Sequence, residues 1–269
     1  MSEPRRKHPI RNRVLLYGIF LFVVLVVLPR RMLYPGNGTA LPESGAIVAS
    51  GVSIVSYETK DGVALRGALF QSSSPDPLTV LYFHGNAESA ASCLPLGEHL
   101  ASRGARVFLA EYRGYGGCPG RPSESGLYED GEAAHELLRA RGVKEDRLVL
   151  VGRSLGTGVA VEMAHRGYGC ALLLVSPYTS ITDVGRNRFG PLVHVALLDS
   201  FDSLSRIGSV KVPVVAIHGT ADTLIPFALG KRLIEAAPSG RLVPVEGRGH
   251  NDLDEAELLE RELRPWLPR

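Results

Sequence analysis

The chain has 269 residues, 45% of them hydrophobic and 22% charged, with a formal net charge of +2. That length suffices for one α/β domain with a sizeable core, and the composition excludes collagen, disorder and a disulfide-rich miniature. Lysines and arginines are densest in the first 31 residues, which argues against nucleic acid as a partner, because phosphate binding needs a basic face on the folded domain.

The first element is the uncharged run Val14 to Leu28, "VLLYGIFLFVVLVVL", bounded by Arg5, Arg6, Lys7, Arg11 and Arg13 before it and by Pro29, Arg30 and Arg31 after it. It is shorter than the roughly twenty residues that cross a bilayer, so three readings stand: an anchor, a cleaved signal, or a buried core helix. The anchor is favoured. No small-x-small cleavage pattern follows directly, and arginines at both ends can snorkel to lengthen the effective span. The heavier positive charge before the run places residues 1–13 in the cytoplasm and the remainder beyond the membrane. Residues 29–51, with Pro, Gly and Ser concentrated in "YPGNGTALPESGAIVASG", read as a linker, and the folded domain is expected over residues 52–269.

That domain opens with "VSIVSYET" (52–59) and "VALRGALF" (63–70), an antiparallel hairpin turning at Lys60, Asp61 and Gly62. Continuous apolar strands follow at 78–85, 106–112, 147–152, 170–176 and 212–219, with a weaker one at 241–246. Such runs suit a parallel sheet covered on both faces. Helices are expected over 90–103, 124–141, 155–166, 226–237 and 253–264, which gives right-handed crossovers and a mostly parallel, doubly wound sheet. The stretch from Pro177 to Lys211 has room for a helix and a short loop, a small cap that leaves an open site suited to lipid or acyl-chain substrates.

In such a sheet reacting groups gather at the carboxyl ends of the strands. "GRSLG" places Ser154 just past one of these ends, between Gly152 and Gly156. A serine on this sharp turn presents its hydroxyl as a nucleophile, and the amide of Leu155, at a helix start, can bind an oxyanion. The plainer reading is a helix N-cap serine with packing glycines. A serine hydroxyl needs a base and an orienting acid. His250 in "GRGHNDL" and Asp222 in "IHGTADTLIP" supply them in the order Ser, Asp, His, with Asp183 as an alternative acid. Asn86 in "FHGNAES" is the second oxyanion donor unless this is an ordinary Gly-Asn turn, and Tyr115 in "EYRGYGGCPG" is placed at the pocket edge.

His84 and His218 read as loop-organising or core histidines, Asp252 as a loop-capping residue, and Asp199 and Asp202 as solvated or capping carboxylates. The remaining histidines have no partner motif. Cys93, Cys118 and Cys170 form no CxxC pair, so no metal site is expected. Cys170 reads as a core residue and Cys118 as exposed in its Gly/Pro loop, with one disulfide left open.

"FHGNAES", "YRGYG", "GRSLG", "SPYTSI", "DSFDSLSRI", "IHGTADTLIP" and "GHND", spread from Ser53 to Leu267, resemble the α/β-hydrolase-domain serine hydrolases with an N-terminal membrane anchor. That group includes lysophospholipases, monoacylglycerol lipases and protein depalmitoylases. The resemblance implies an α/β-hydrolase fold without a cofactor, with Ser154, Asp222 and His250 as the catalytic triad and the amides of Asn86 and Leu155 as the oxyanion hole. Cys118 departs from the pattern, since relatives often carry serine after the YRGYG motif. The expected activity is cleavage of ester or thioester bonds in acyl-chain or lipid substrates. A serine peptidase or amidase and a non-catalytic binding protein are the alternatives.

Overall fold

A computed structural model describes residues 28–36, 38–43, 51–190 and 198–267. Eight strands form one sheet: β1 (Ser53–Glu58), β2 (Ala64–Phe70), β3 (Thr79–Phe83), β4 (Arg106–Ala110), β5 (Leu148–Arg153), β6 (Ala171–Val175), β7 (Val214–Gly219) and β8 (Gly240–Val245). Their spatial order is β1-β2-β4-β3-β5-β6-β7-β8. β2 runs antiparallel to both β1 and β4, and every other pairing is parallel. The sheet is thus the mostly parallel, doubly wound one expected from the alternation of apolar runs and helices, with the antiparallel hairpin at its edge.

Eight α-helices accompany it among the described residues: α1 (Leu28–Leu33), α2 (Leu94–Ser102), α3 (Glu124–Ala140), α4 (Leu155–His165), α5 (Ile181–Phe189), α6 (Ser203–Ile207), α7 (Phe227–Glu235) and α8 (Glu255–Leu263). Because side chains alternate across each strand, the sheet divides the core in two. Leu81 and Phe83 of β3 and Leu148 and Leu150 of β5 enter one cluster with α3 and α4. Val80, Tyr82, Val149 and Val151 enter the other, closed by Leu100 of α2 and by Leu259 and Leu263 of α8. α4 is buried from Leu155 through Ala164, so the helix that follows Ser154 is set inside the molecule.

Three expectations require correction. The linker is not a free spacer: residues 28–33 are helical, Tyr34 is 6% exposed and Leu41 3% exposed, one in each core cluster. Arg66 donates to the carbonyls of Leu41 and Pro42 at 3.0 and 3.2 Å, and Ser89 Oγ to that of Thr39 at 3.0 Å, which fastens the strap to β2 and to the loop after β3. The cap carries two helices, α5 and α6, instead of one, each started by a side-chain cap from Ser180 or Asp202. Cys118 is buried, because the glycine-rich loop folds inward and places its thiol in the core. The three cysteines are free, and Cys170 is half-buried against the second cluster. Residues 14–27 of the apolar N-terminal run lie outside the described residues, among which no helix is long and apolar enough to cross a membrane.

Candidate active site

The turn from β5 into α4 is fixed by close backbone approach. A Cβ on Gly152 would collide with the carbonyl of Gly156, and one on Gly156 with the carbonyls of Phe83 and His84. Ser154 itself has φ +49°, a region costly for a residue with a side chain, and persists there because both flanking segments are packed against backbone. Its amide donates to the carbonyl of Val175 at 2.9 Å, tying the turn to the end of β6. The hydroxyl faces the carboxyl edge of the sheet, and the residue is 6% exposed.

Two other strand ends meet it there. His250 Nε2 lies 3.0 Å from Ser154 Oγ, and His250 Nδ1 lies 2.8 Å from Asp222 Oδ2. Asp222 Oδ1 accepts the amides of Leu224 and Ile225 at 2.9 and 2.8 Å, and its second oxygen faces the His250 imidazole, with His218 Nε2 3.4 Å away on its other side. Burial opposes the charge on Asp222, but hydrogen bonds from His218, His250 and the Ile225 amide outweigh it and hold the carboxyl well below the usual carboxylate range. Asp183 is elsewhere: it accepts from Thr179 Oγ1 at 2.6 Å and from Arg186 at 3.4 Å within the cap. The structure therefore brings together Ser154, His250 and Asp222 and leaves Asp183 aside.

The oxyanion candidates occupy adjoining backbone. Leu155 is the first residue of α4, where an amide has no acceptor within its own helix. Gly85 lies beside Ser154, where a Cβ would stand 3.5 Å from that of the serine, and its amide is held by Glu88 Oε2 at 2.7 Å, which sets the direction in which the chain enters Asn86. Beneath this loop His84 is fully buried and pairs with Glu111 through Nε2 at 2.7 Å. Although burial works against protonation, the Glu111 carboxylate and the Gly85 carbonyl raise the His84 pKa. His84 and His218 are thus the buried, loop-organising histidines expected of them, His218 donating through Nε2 to the Ile225 carbonyl at 2.9 Å. Asp199, Asp202 and Asp252 accept from the amides of Glu124, Ser205 and Gly249, the capping work assigned to them.

Tyr115 does not line an open pocket. It is 0% exposed, edge-on to His84 and Tyr112 with ring centroids 5.5 and 5.8 Å away. The loop enters Tyr115 from Gly114 and leaves it through Gly116, both at positive φ, and this reversal sends the ring into the core. The sequence reading missed a second set of residues at this edge: Arg153, Glu88, Asn251 and Glu255, joined by ion pairs and hydrogen bonds around the three loops. A charged residue directly before Ser154, where the strand's other residues are all buried and uncharged, was the available signal for them.

Comparison with known proteins follows the same lines. A family model described as serine aminopeptidase, S33, matches residues 75–199. An uncharacterised protein of Mycobacterium tuberculosis is 40% identical over 86% of this chain and 82% of its own. Alpha/beta hydrolase domain-containing protein 17C of Xenopus tropicalis is 37% identical over 78% of this chain and 68% of its own. Among solved structures, an esterase of Pyrococcus furiosus superposes with a TM-score of 0.68 at 19% identity, covering 86% of this chain and 98% of that one. A monoacylglycerol lipase of Paleococcus ferrophilus does so with a TM-score of 0.57 at 19% identity, over 75% and 97%. The structural likenesses share architecture, whereas the sequence identities extend over most of both chains, and on them the chain belongs to the alpha/beta hydrolase family.

Proposed function

We propose that the protein is a serine hydrolase that cleaves carboxylic ester or thioester bonds of acyl-chain substrates through an acyl-enzyme. The relay from Ser154 Oγ through both nitrogens of His250 to Asp222 carries this reading. In it, His250 Nε2 takes the Ser154 proton as the hydroxyl attacks the carbonyl carbon, while the Asp222 carboxylate accepts a hydrogen bond from Nδ1–H and stabilises the imidazolium. The amides of Leu155 and Asn86 receive the developing oxyanion. The imidazolium then protonates the departing alcohol or thiol, and water, activated in the same way, releases the acid.

An acyl-chain substrate is supported by the shallow cap and by the exposed apolar side chains around this edge. Leu224, two residues past Asp222, and Phe189 and Leu198, in the stretch between β6 and α6, are 41%, 59% and 69% exposed. With Val14 to Leu28 as an anchor and residues 1–13 cytoplasmic, these residues face a lipid surface from the extracytoplasmic side. The family model's description favours a second reading, a serine aminopeptidase. Such an enzyme needs a free carboxylate for the substrate amine, and Glu88, beside the Gly85–Asn86 backbone, is taken by the Gly85 amide and Arg153.

The test is fluorophosphonate labelling together with parallel ester, thioester and aminoacyl-amide assays. Ser154→Ala should abolish labelling and lower ester turnover on the order of a million-fold. Ester turnover above a tenth of wild type in that variant sinks the mechanism. Amide turnover exceeding ester turnover moves the protein to the peptidase reading.

A further inference from the structure

We propose that Arg153 is a positioning residue that clamps the oxyanion loop and the histidine loop to the nucleophile turn. The inference rests on the triad reading above and concerns what holds the triad in register. Arg153 ends β5, immediately before Ser154. Its Nη1 pairs closely with Glu88 Oε1, and the other oxygen of that carboxylate accepts the Gly85 amide at 2.7 Å, one residue before the proposed Asn86 donor. Its Nη2 donates to the His250 carbonyl at 3.3 Å and to Asn251 Oδ1 at 3.2 Å. Its Nε pairs with Glu255 Oε2 at 3.1 Å, at the start of α8, and Tyr82 of β3 donates its hydroxyl to Glu255 Oε1 at 2.8 Å.

One guanidinium therefore reaches three separate segments: the loop after β3, the loop after β8 and the helix that follows it. Its side chain is 15% exposed and those of Glu88 and Glu255 are 24% and 16% exposed, so water competes weakly for the two ion pairs. The planar fork of arginine suits this work, since it donates in several fixed directions at once. A lysine ammonium carries the same charge but cannot span both carboxylates and the histidine loop together. Neither Arg153 nor the side chains of Glu88, Asn251 and Glu255 have a hydrogen bond to the Ser154 hydroxyl, whose partner is the His250 imidazole, so the clamp acts on the reaction only through where it holds His250 and the Gly85–Asn86 backbone.

The experiment uses full-length protein with wild-type sequence, Arg153→Lys, Asn251→Ala and the double variant, measured for kcat and KM on p-nitrophenyl butyrate, fluorophosphonate labelling rate and thermal unfolding. Arg153→Lys should lower kcat and the labelling rate by about a hundredfold, the cost of a small misplacement of reacting groups, with KM nearly unchanged. The unfolding midpoint should move by less than about 3 °C, since charge is retained. Asn251→Ala should lower kcat less, and adding it to Arg153→Lys should cost little more, because both remove the same contact. Glu88→Gln keeps an acceptor for Gly85 while removing the ion pair, so it should lower kcat without altering KM even if the lysine variant folds poorly. Arg153→Lys with wild-type kcat, losses that add in the double variant, or a lowered midpoint with undiminished kcat in the folded fraction each overturn the clamp. Wild-type protein lacking Ser154-dependent labelling overturns the triad reading as well, a result separate from any effect of Arg153.

Discussion

The turn at Ser154 and the loop of His250 hold their side chains by different means. At the turn, backbone meets backbone: Gly152 against Gly156, and Gly156 against the carbonyls of Phe83 and His84. The histidine loop is tied by backbone at its start, where Ala221 donates to the Arg248 carbonyl at 2.9 Å and Gly219 packs against the carbonyls of Arg248 and Gly249. From Gly249 onward it is held by side chains, Arg153 on His250 and Asn251 and Asp252 on the Gly249 amide. Backbone packing admits almost no alternative geometry, because the atoms concerned cannot change rotamer or be substituted. Side-chain bonds admit some.

The largest effect expected to sharpen this contrast comes from the acid. Asp222→Asn keeps the amide contacts of Leu224 and Ile225 but presents the wrong partner to His250 Nδ1, so turnover should fall roughly ten-thousand-fold. Asp183→Asn, whose contacts lie within the cap, should change turnover little; steady-state kinetics that rank the two variants the other way would remove Asp222 from the site.

Next is Gly156→Ala, which forces a Cβ into two backbone carbonyls and should cost on the order of 4 kcal/mol or prevent soluble expression, read by chemical denaturation. Near-native stability in that variant would show the turn to be far more yielding than its contacts imply.

The strap offers a third contrast. Deleting residues 1–27 should leave a stable domain with full turnover of a soluble ester. Deleting residues 1–43 also removes Tyr34 and Leu41, both buried, and should lower stability by about 3 to 5 kcal/mol. Equal unfolding midpoints for the two truncations would mean that the strap is only a tether.

Glu255 links the clamp to pH. Burial pushes its carboxyl from the ordinary 4.5 up to about 7 against the pull of Arg153, so the folded state binds the proton more tightly than the unfolded chain. Stability should therefore decline as pH rises from about 4.5 to about 7, by up to about 3 kcal/mol, and Glu255→Gln should flatten that decline. Asp130, pushed up to about 6 by burial despite Arg113, acts with the same sign and should preserve part of the slope in the variant. Asp222 acts oppositely: its contribution is present above the usual carboxylate range and lost in acid. Melting curves from pH 4.5 to 8 that coincide in shape for wild type and Glu255→Gln would contradict the assignment.

The smallest effect is expected in the histidine loop. Gly249→Ala places a Cβ 3.3 Å from Asp252 Oδ1, a contact that a side-chain shift relieves, and 3.7 Å from the Ala221 carbonyl, an ordinary van der Waals distance, so stability should change by less than about 1 kcal/mol. A loss as large as that of Gly156→Ala would erase the difference between the two regions.

Much of this molecule is local and so was legible in its order of residues. Apolar runs bounded by turn residues placed all eight strands, and their alternation with helical segments implied the parallel sheet. The glycines around Ser154 announced the turn, and the positions of Asp222 and His250 after later strands placed them on the same edge, because parallel strands bring their carboxyl ends together. What tertiary structure alone decided depends on segments distant in sequence. Arg153 and His250 stand 97 residues apart, and nothing in either neighbourhood announces their contact. The Gly/Pro-rich loops around Tyr115 and Cys118 and the strap around Tyr34 read as surface by composition, yet all three side chains are buried. Composition reports whether a segment needs burial to fold. It does not report whether glycines at positive φ turn the chain inward, or whether an apolar surface elsewhere waits to be covered, and both are settled only when the sheet has closed its core.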